Sequence, residues 1–189
     1  MMEGDDALCK KCIFTRVLVV GHGPSFRDFE YIRNFDGMIL AVDFSGKELV
    51  ENGIIPDYIL FSEISEGIMD FVDHTLPMMY VGMPIKFIHR ESISPQVQRR
   101  MDEMKLQHSV FIPQYTPEHL AVGNVGLYSI AFAQLVLYAN EIHLIGMDYR
   151  GPDSGGRDYS KEWIKQAKHY LARRNPNIID HSNGDFPKS

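Results

Sequence analysis

The chain has 189 residues, 44% apolar and 23% charged, which suits one compact soluble domain with a substantial core. Its 19 basic against 25 acidic residues give a formal net charge of −6, and the basic pairs Lys10-Lys11, Arg99-Arg100 and Arg173-Arg174 are too short to form a stripe, so nucleic acid is excluded as an expected partner. The start, Met1-Met-Glu-Gly-Asp-Asp6, is acidic where a secretory signal is basic and then apolar, and the greasiest run, Ile130 to Ala139, is about half a bilayer span; no membrane span and a cytoplasmic location are expected.

In chain order, a polar lead over residues 1–14 carries Cys9-Lys-Lys-Cys12, the spacing of a redox dithiol or of half a zinc site. No second C-x-x-C exists and the setting is not a strand-to-helix turn, so no metal site is assigned. The first strand, Arg16–Val20, runs into Gly21-His-Gly-Pro-Ser25 ahead of a predicted helix over Phe26–Asn34. Glycines let backbone approach a phosphate closely, Ser25 is placed to cap the helix, and the helix N–H groups attract anions. A nucleotide or nucleotide-sugar phosphate is the natural occupant of such a turn, the plain alternative being an ordinary tight connection. The spacing is neither G-x-G-x-x-G nor a P-loop.

Further strands are predicted at Gly37–Val42, Tyr58–Phe61, Met78–Val81, Val110–Ile112, Glu141–Ile145 and Asn177–Ile179. Helices are predicted at Ser45–Asn52, Ser65–Asp73, Pro95–Lys105, Val125–Tyr138 and Ser160–Arg173, with a mobile loop over residues 150–160. Strands and helices alternate and several strands are apolar without alternation, which gives an α/β, Rossmann-like three-layer αβα sandwich with a central, mostly parallel sheet, as a single nucleotide-binding domain over residues 1–189.

Such sheets bind ligands at the carboxyl ends of their strands. Asp43, Glu63 and Asp148 fall there, placed to hold Mg²⁺ against phosphates, to accept hydrogen bonds from a ribose or base, or to cap the next helices. Val122-Gly123-Asn124-Val125-Gly126 opens the most apolar helix and makes a second backbone donor nest, or permits close helix–sheet packing. His143 sits inside a strand as a satisfied core residue, and His74, His89, His108, His119 and His169 show no partner pattern.

Gly21-x-Gly-Pro-Ser25, Gly53-Ile-Ile-Pro-Asp57, the glycine-led apolar helix and Ile142-His-Leu-Ile-Gly-Met-Asp-Tyr149 together resemble one superfamily across roughly Val17 to Tyr159. It contains single-domain bacterial sialyltransferases using CMP-sialic acid, the motility accessory factor family and archaeal 6-hydroxymethyl-7,8-dihydropterin diphosphokinases. The resemblance implies that Gly21, Gly23, Pro24 and Ser25 cradle a nucleotide, with His22 in place of the sialyltransferases' asparagine. It implies that Tyr149 and Tyr159 hold phosphate oxygens. It puts Asp43 and Glu63 where the sialyltransferases carry asparagines, closer to the diphosphokinase and motility branches. His181, in Asp180-His-Ser-Asn-Gly-Asp185, is similar to a Gly-His-Ser histidine of the sialyltransferases and is the candidate general base, beside Tyr159 as the second catalytic candidate. The leading expectation is a glycosyltransferase-like enzyme requiring no cofactor. A Mg²⁺-dependent pyrophosphokinase acting on a pterin-like alcohol and a non-catalytic nucleotide-binding homologue are the alternatives; a homo-oligomer is a further expectation, and the sialyltransferases' acceptor-covering lid is expected either to be lacking here or to come from a neighbouring subunit.

Overall fold

The computed structural model describes residues 15–61, 85–89, 95–103, 105–110, 125–148, 160–182 and 187. Within them lie seven strands, β1 (Arg16–Val20), β2 (Met38–Val42), β3 (Tyr58–Phe61), β4 (Lys86–His89), β5 (Gln107–Val110), β6 (Glu141–Ile145) and β7 (Ile178–Asp180). The helices are α1 (Phe29–Arg33), α2 (Phe44–Glu51), α3 (Pro95–Glu103), α4 (Val125–Leu135) and α5 (Ser160–Arg174), with a 3-10 turn over Pro24–Arg27.

The strands form one sheet in the order β5-β4-β3-β2-β1-β6-β7, with every pairing parallel. The chain starts at β1, steps outward to β5, then returns to lay β6 and β7 on the other side. Strand order therefore reverses between β1 and β6, and the crevice outside their carboxyl ends is where an open α/β sheet takes its ligand.

Burial on both faces explains the unalternated strand sequences. Val17, Val19, Leu40, Val42, Leu60, Ile88, Ile142 and Leu144 pack under α4 and α5. Leu18, Val20, Ala41, Ile59, Phe61, Phe87 and Ile145 pack under Phe26 of the 3-10 turn, Ile32 of α1, Leu49 and Val50 of α2 and Met101 of α3. Helix α4 is buried continuously from Gly126 to Ala133, as its all-round apolar sequence requires.

Three expectations change. The helix after β1 is not continuous over Phe26–Asn34: Pro24 starts a 3-10 turn whose N-cap is Gly23, and α1 restarts at Asp28, whose Oδ1 accepts the Tyr31 N–H at 3.0 Å. Ser25 is thus inside the turn and is not a helix cap. Among the described residues the strand paired with β3 is β4, Lys86–His89, where no strand was expected, and β5 begins at Gln107, ahead of the expected Val110–Ile112, of which only Val110 is described. The expected strand Met78–Val81 and helix Ser65–Asp73 fall outside the described residues, as do the whole of the 1–14 lead and all of the 150–160 loop but its last residue.

Candidate functional site

At the β1–β6 reversal two loops pack back to back. The Gly21 and Gly23 N–H groups donate to the carbonyls of Ile145 and Gly146, both at 2.8 Å. A Cβ on Gly21 would stand 2.4 Å from the Gly146 carbonyl oxygen, and one on Gly23 would stand 2.3 Å from Asp148 Oδ2. Gly146 itself has φ +69°, and its missing Cβ would meet the Gly21 carbonyl at 2.4 Å. These glycines are explained by loop-on-loop contact.

Ser25 completes the join. Its N–H and Oγ both approach Asp148 Oδ2, at 3.0 and 2.9 Å, while its Oγ accepts the Gly146 N–H at 2.9 Å. Asp148 is 4% exposed. The acceptor met by the Ser25 N–H and hydroxyl is thus the chain's own Asp148 side chain. Ser25 and Asp148, both expected to face a ligand, face each other and fix the floor of the crevice.

The carboxyl end of β2 adds a different feature. Asp43 has φ +48° and ψ −122°, a backbone region that L-residues seldom occupy. Its N–H donates to the Leu60 carbonyl at 2.8 Å and its carbonyl accepts the Gly46 N–H at 3.2 Å, so the strained residue forms the elbow between β2 and α2. Asp43 is half-buried just past the end of β2, the strand next to β1, with its Oδ1 buried. Two residues on, the buried Ser45 Oγ accepts the Val42 N–H at 2.8 Å and lies 2.6 Å from the Val20 carbonyl, tying the ends of β1 and β2 together. His22 swings to α2, with Nε2 2.6 Å from Glu48 Oε1 and its ring tilted against Phe26 and Phe44.

His181 follows β7, with its N–H donating to the Leu144 carbonyl at 2.8 Å. Its neighbour Ser182 accepts the Met147 N–H at 3.1 Å, so the end of β7 is stitched to the loop that carries Asp148. His181 Nε2 lies 2.8 Å from both His143 Nδ1 and Tyr31 Oη. His143 is 4% exposed and its Nε2 sits 2.5 Å from Glu141 Oε1, which also accepts from Arg16 Nε at 3.0 Å. Burial and then the neighbouring His143 hold the His181 ring below the ordinary histidine range. Desolvation pushes Asp180 up, against hydrogen bonds from Ser182, with a further rise from Asp148. His143 is the satisfied core residue that its place in a strand implied.

Val125 and Gly126 open α4, where the Ser129 hydroxyl donates to the Val125 carbonyl at 2.8 Å and Gly126 is buried. Glu63, Gly123, Asn124, Tyr149 and Tyr159 lie outside the described residues, as do Cys9 and Cys12. Pro24 starts the 3-10 turn and contributes no N–H.

Sequence reading missed a second histidine chain. His108 Nε2 lies 2.8 Å from Asp102 Oδ1 and its Nδ1 lies 3.2 Å from Nε2 of His89, at the carboxyl end of β4. The signal was available in part, since an acidic residue at the end of a helix precedes a histidine on the next strand, but the pairing with His89 needs the β4–β5 register. Among the described residues no three His, Cys, Asp or Glu side chains converge as a metal-binding group, and no helix is long and apolar enough to cross a membrane.

Comparison with known proteins agrees on the fold. A family model described as 6-hydroxymethylpterin diphosphokinase MptE-like matches residues 6–153. No curated protein matches the chain. Among solved structures, the MAf glycosyltransferase from Magnetospirillum magneticum AMB-1 superposes with a TM-score of 0.63 at 19% identity, over 90% of this chain and 32% of that one. The chain thus spans about a third of that protein. A sialyltransferase CST-II variant in complex with CMP gives 0.58 at 15% identity, over 90% of this chain and 83% of the other. The sialyltransferase CstII from Campylobacter jejuni in complex with the substrate analogue CMP-3FNeuAc gives 0.55 at 16% identity, over 88% and 79%. At these identities the likeness is one of fold.

Proposed function

The chain belongs to the 6-hydroxymethylpterin diphosphokinase MptE-like family, and from that premise we propose that it is a nucleotide-dependent transferase passing a diphosphoryl group from ATP to the hydroxyl of a hydroxymethyl-substituted, pterin-like heterocycle. The observation that carries the chemistry is Asp43. A non-glycine residue at φ +48° costs on the order of 1–3 kcal/mol, and such strain persists where the surrounding structure needs that side chain in that place. Here it sets a carboxylate at the carboxyl edge of the sheet, one strand from the β1–β6 crevice.

A Mg²⁺ ion bound to ATP is normally held by one or two carboxylates together with phosphate oxygens. Asp43, half-buried at the rim, fits that demand, and Glu63 is the second carboxylate of the reading. When bound, the ion neutralises charge on the phosphates. Ser25 and Asp148 brace the turn against which the nucleotide lies, while the Gly21–Pro24 backbone and His22 form its wall. In this reading Gly123, Asn124, Val125 and Gly126 supply a further donor nest, and Tyr149 and Tyr159 the phosphate contacts.

In the transfer, the alcohol oxygen bonds to the β-phosphorus as the bond from that phosphorus to the oxygen bridging to the α-phosphate breaks. AMP leaves in line with the attacking oxygen, a geometry in which positioning and charge stabilisation provide most of the rate. The proton lost by the alcohol goes to His181. The glycosyltransferase expectation ranks second, because its support beyond the motif is a likeness of fold.

Incubation with ATP, Mg²⁺ and 6-hydroxymethyl-7,8-dihydropterin, followed by phosphorus NMR, tests the reading. AMP and a diphosphate ester should accumulate in equal amounts. Release of ADP would contradict diphosphoryl transfer, and CMP release from CMP-sialic acid without metal would return the glycosyltransferase to first place.

A further inference from the structure

The hydrogen positions around His143 follow from its partners. Glu141 is an acceptor, held below the usual carboxylate range by hydrogen bonds from His143 and then from Arg16. The 2.5 Å contact between Glu141 Oε1 and His143 Nε2 needs its hydrogen on Nε2, and it outweighs the longer 3.3 Å approach of Arg16 Nη2, itself a donor, to the same nitrogen. A neutral His143 then carries a bare lone pair on Nδ1. Two donors are available to it, the Tyr31 hydroxyl at 3.1 Å and His181 Nε2 at 2.8 Å.

The two imidazoles meet head-on: their planes differ by 5° and their centroids are 5.1 Å apart. An N–H···N bond lies in both ring planes in that arrangement. The hydrogen between them belongs to His181 Nε2, since His143 has placed its own toward Glu141. The Tyr31 oxygen, 2.8 Å from His181 Nε2, shares the same hydrogen. His181 is left with its lone pair on Nδ1, at the exposed end of β7, beside the loop carrying Asp148.

We infer that Glu141, His143 and Tyr31 are positioning residues which lock His181 in the tautomer bearing hydrogen on Nε2, so that Nδ1 is the basic atom offered to the acceptor alcohol. This rests on the reading of His181 as the base. As the alcohol oxygen bonds to phosphorus, its proton moves to Nδ1, and the resulting imidazolium is stabilised through His143 by the Glu141 carboxylate. Charged groups facing the pair are Arg16 from β1, Glu141 from β6, and Asp180 beside His181, with Tyr31 covering it from α1. The sequence conceals the arrangement because its members stand at positions 31, 141, 143 and 181, brought together by the β6–β7 pairing and by α1 lying over it.

Long-range proton–nitrogen NMR of the whole chain labelled with ¹⁵N-histidine tests it, with Glu141→Gln, His143→Asn and Tyr31→Phe as variants. The expected result is hydrogen on Nε2 of both His143 and His181 at pH 7.5. Glu141→Gln, which keeps an acceptor but removes the charge, should move the His181 titration to lower pH and slow its modification by diethyl pyrocarbonate several-fold. In the diphosphoryl-transfer assay it should lower kcat by about tenfold or more with KM little changed. Hydrogen on Nδ1 of His181, or a His181 titration unmoved in Glu141→Gln, would overturn the relay whatever the enzyme's substrate. The expected tautomers together with wild-type turnover that survives His181→Gln would overturn the role of His181 instead, and the relay's function with it.

Discussion

Asp43 and the three loop glycines show how much a single residue's backbone decides at this rim. Relief of the left-handed strain means that Asp43→Gly should raise stability, by about 1 kcal/mol in denaturant melts, while abolishing Mg²⁺-dependent nucleotide binding. A variant that is both less stable and still Mg²⁺-responsive would contradict the assignment. Gly23→Ala has the opposite character. Its Cβ would sit 2.3 Å from Asp148 Oδ2 and 2.8 Å from the Gly146 carbonyl, so the two loops must part, at a cost of roughly 2–3 kcal/mol. At this scale the sequence was informative about where and less so about why. Gly21, Gly23 and Ser25 read as a phosphate cradle, yet their partners are Gly146 and Asp148, more than a hundred residues away. Loop-on-loop contact and phosphate approach both demand glycine, so composition could not tell them apart.

Elements were legible in proportion to their burial. β1, β3 and β6 run where their apolar stretches put them, because parallel strands covered on both faces have no polar register to obscure them. The edge strand β5, Gln107-His-Ser-Val110, is polar enough to pass for a loop, and a histidine in it pairs instead with Asp102 and His89. The 3-10 turn escaped notice because Pro24 and Asp28 each reset the chain within five residues. The joint between β1 and β2 rests on Ser45, whose buried hydroxyl bridges both strand ends; Ser45→Ala should cost about 1–3 kcal/mol by leaving the Val42 N–H without its acceptor.

The β6–β7 joint should also give stability its pH dependence. His181's folded pKa lies below the ordinary 6.5, so the unfolded chain binds a proton first as pH falls. Its contribution is complete above about pH 6.5 and is lost as pH drops below it. Glu141, with its pKa lowered from 4.5, acts in the same sense further down, while Asp180, raised from 3.8, opposes it. Melting temperature should therefore decline from pH 7.5 to 5.5, with a shallower slope in His181→Gln; parallel slopes in the two proteins would refute the linkage.

For the molecule as a whole, alternation of strand and helix sufficed for the layered α/β class, but strand order did not follow from it. The reversal between β1 and β6 emerges only when β6 is seen to pair with β1, and that pairing turns scattered polar residues into one rim. Along it stand His89, Asp43, the Gly21–Ser25 turn, the Gly146–Asp148 loop and His181. The rim's polar residues converge on nucleotide binding with Mg²⁺ held at Asp43, and titration calorimetry of ATP into wild type and Asp43→Asn, each with and without Mg²⁺, decides it. Asparagine has the same shape as aspartate and meets the same backbone demand, so the variant keeps the elbow and loses the charge. Mg²⁺ should tighten ATP binding about tenfold or more in wild type and have no such effect in Asp43→Asn; equal tightening in both proteins, or binding indifferent to Mg²⁺ in wild type, would contradict a Mg²⁺ site at Asp43.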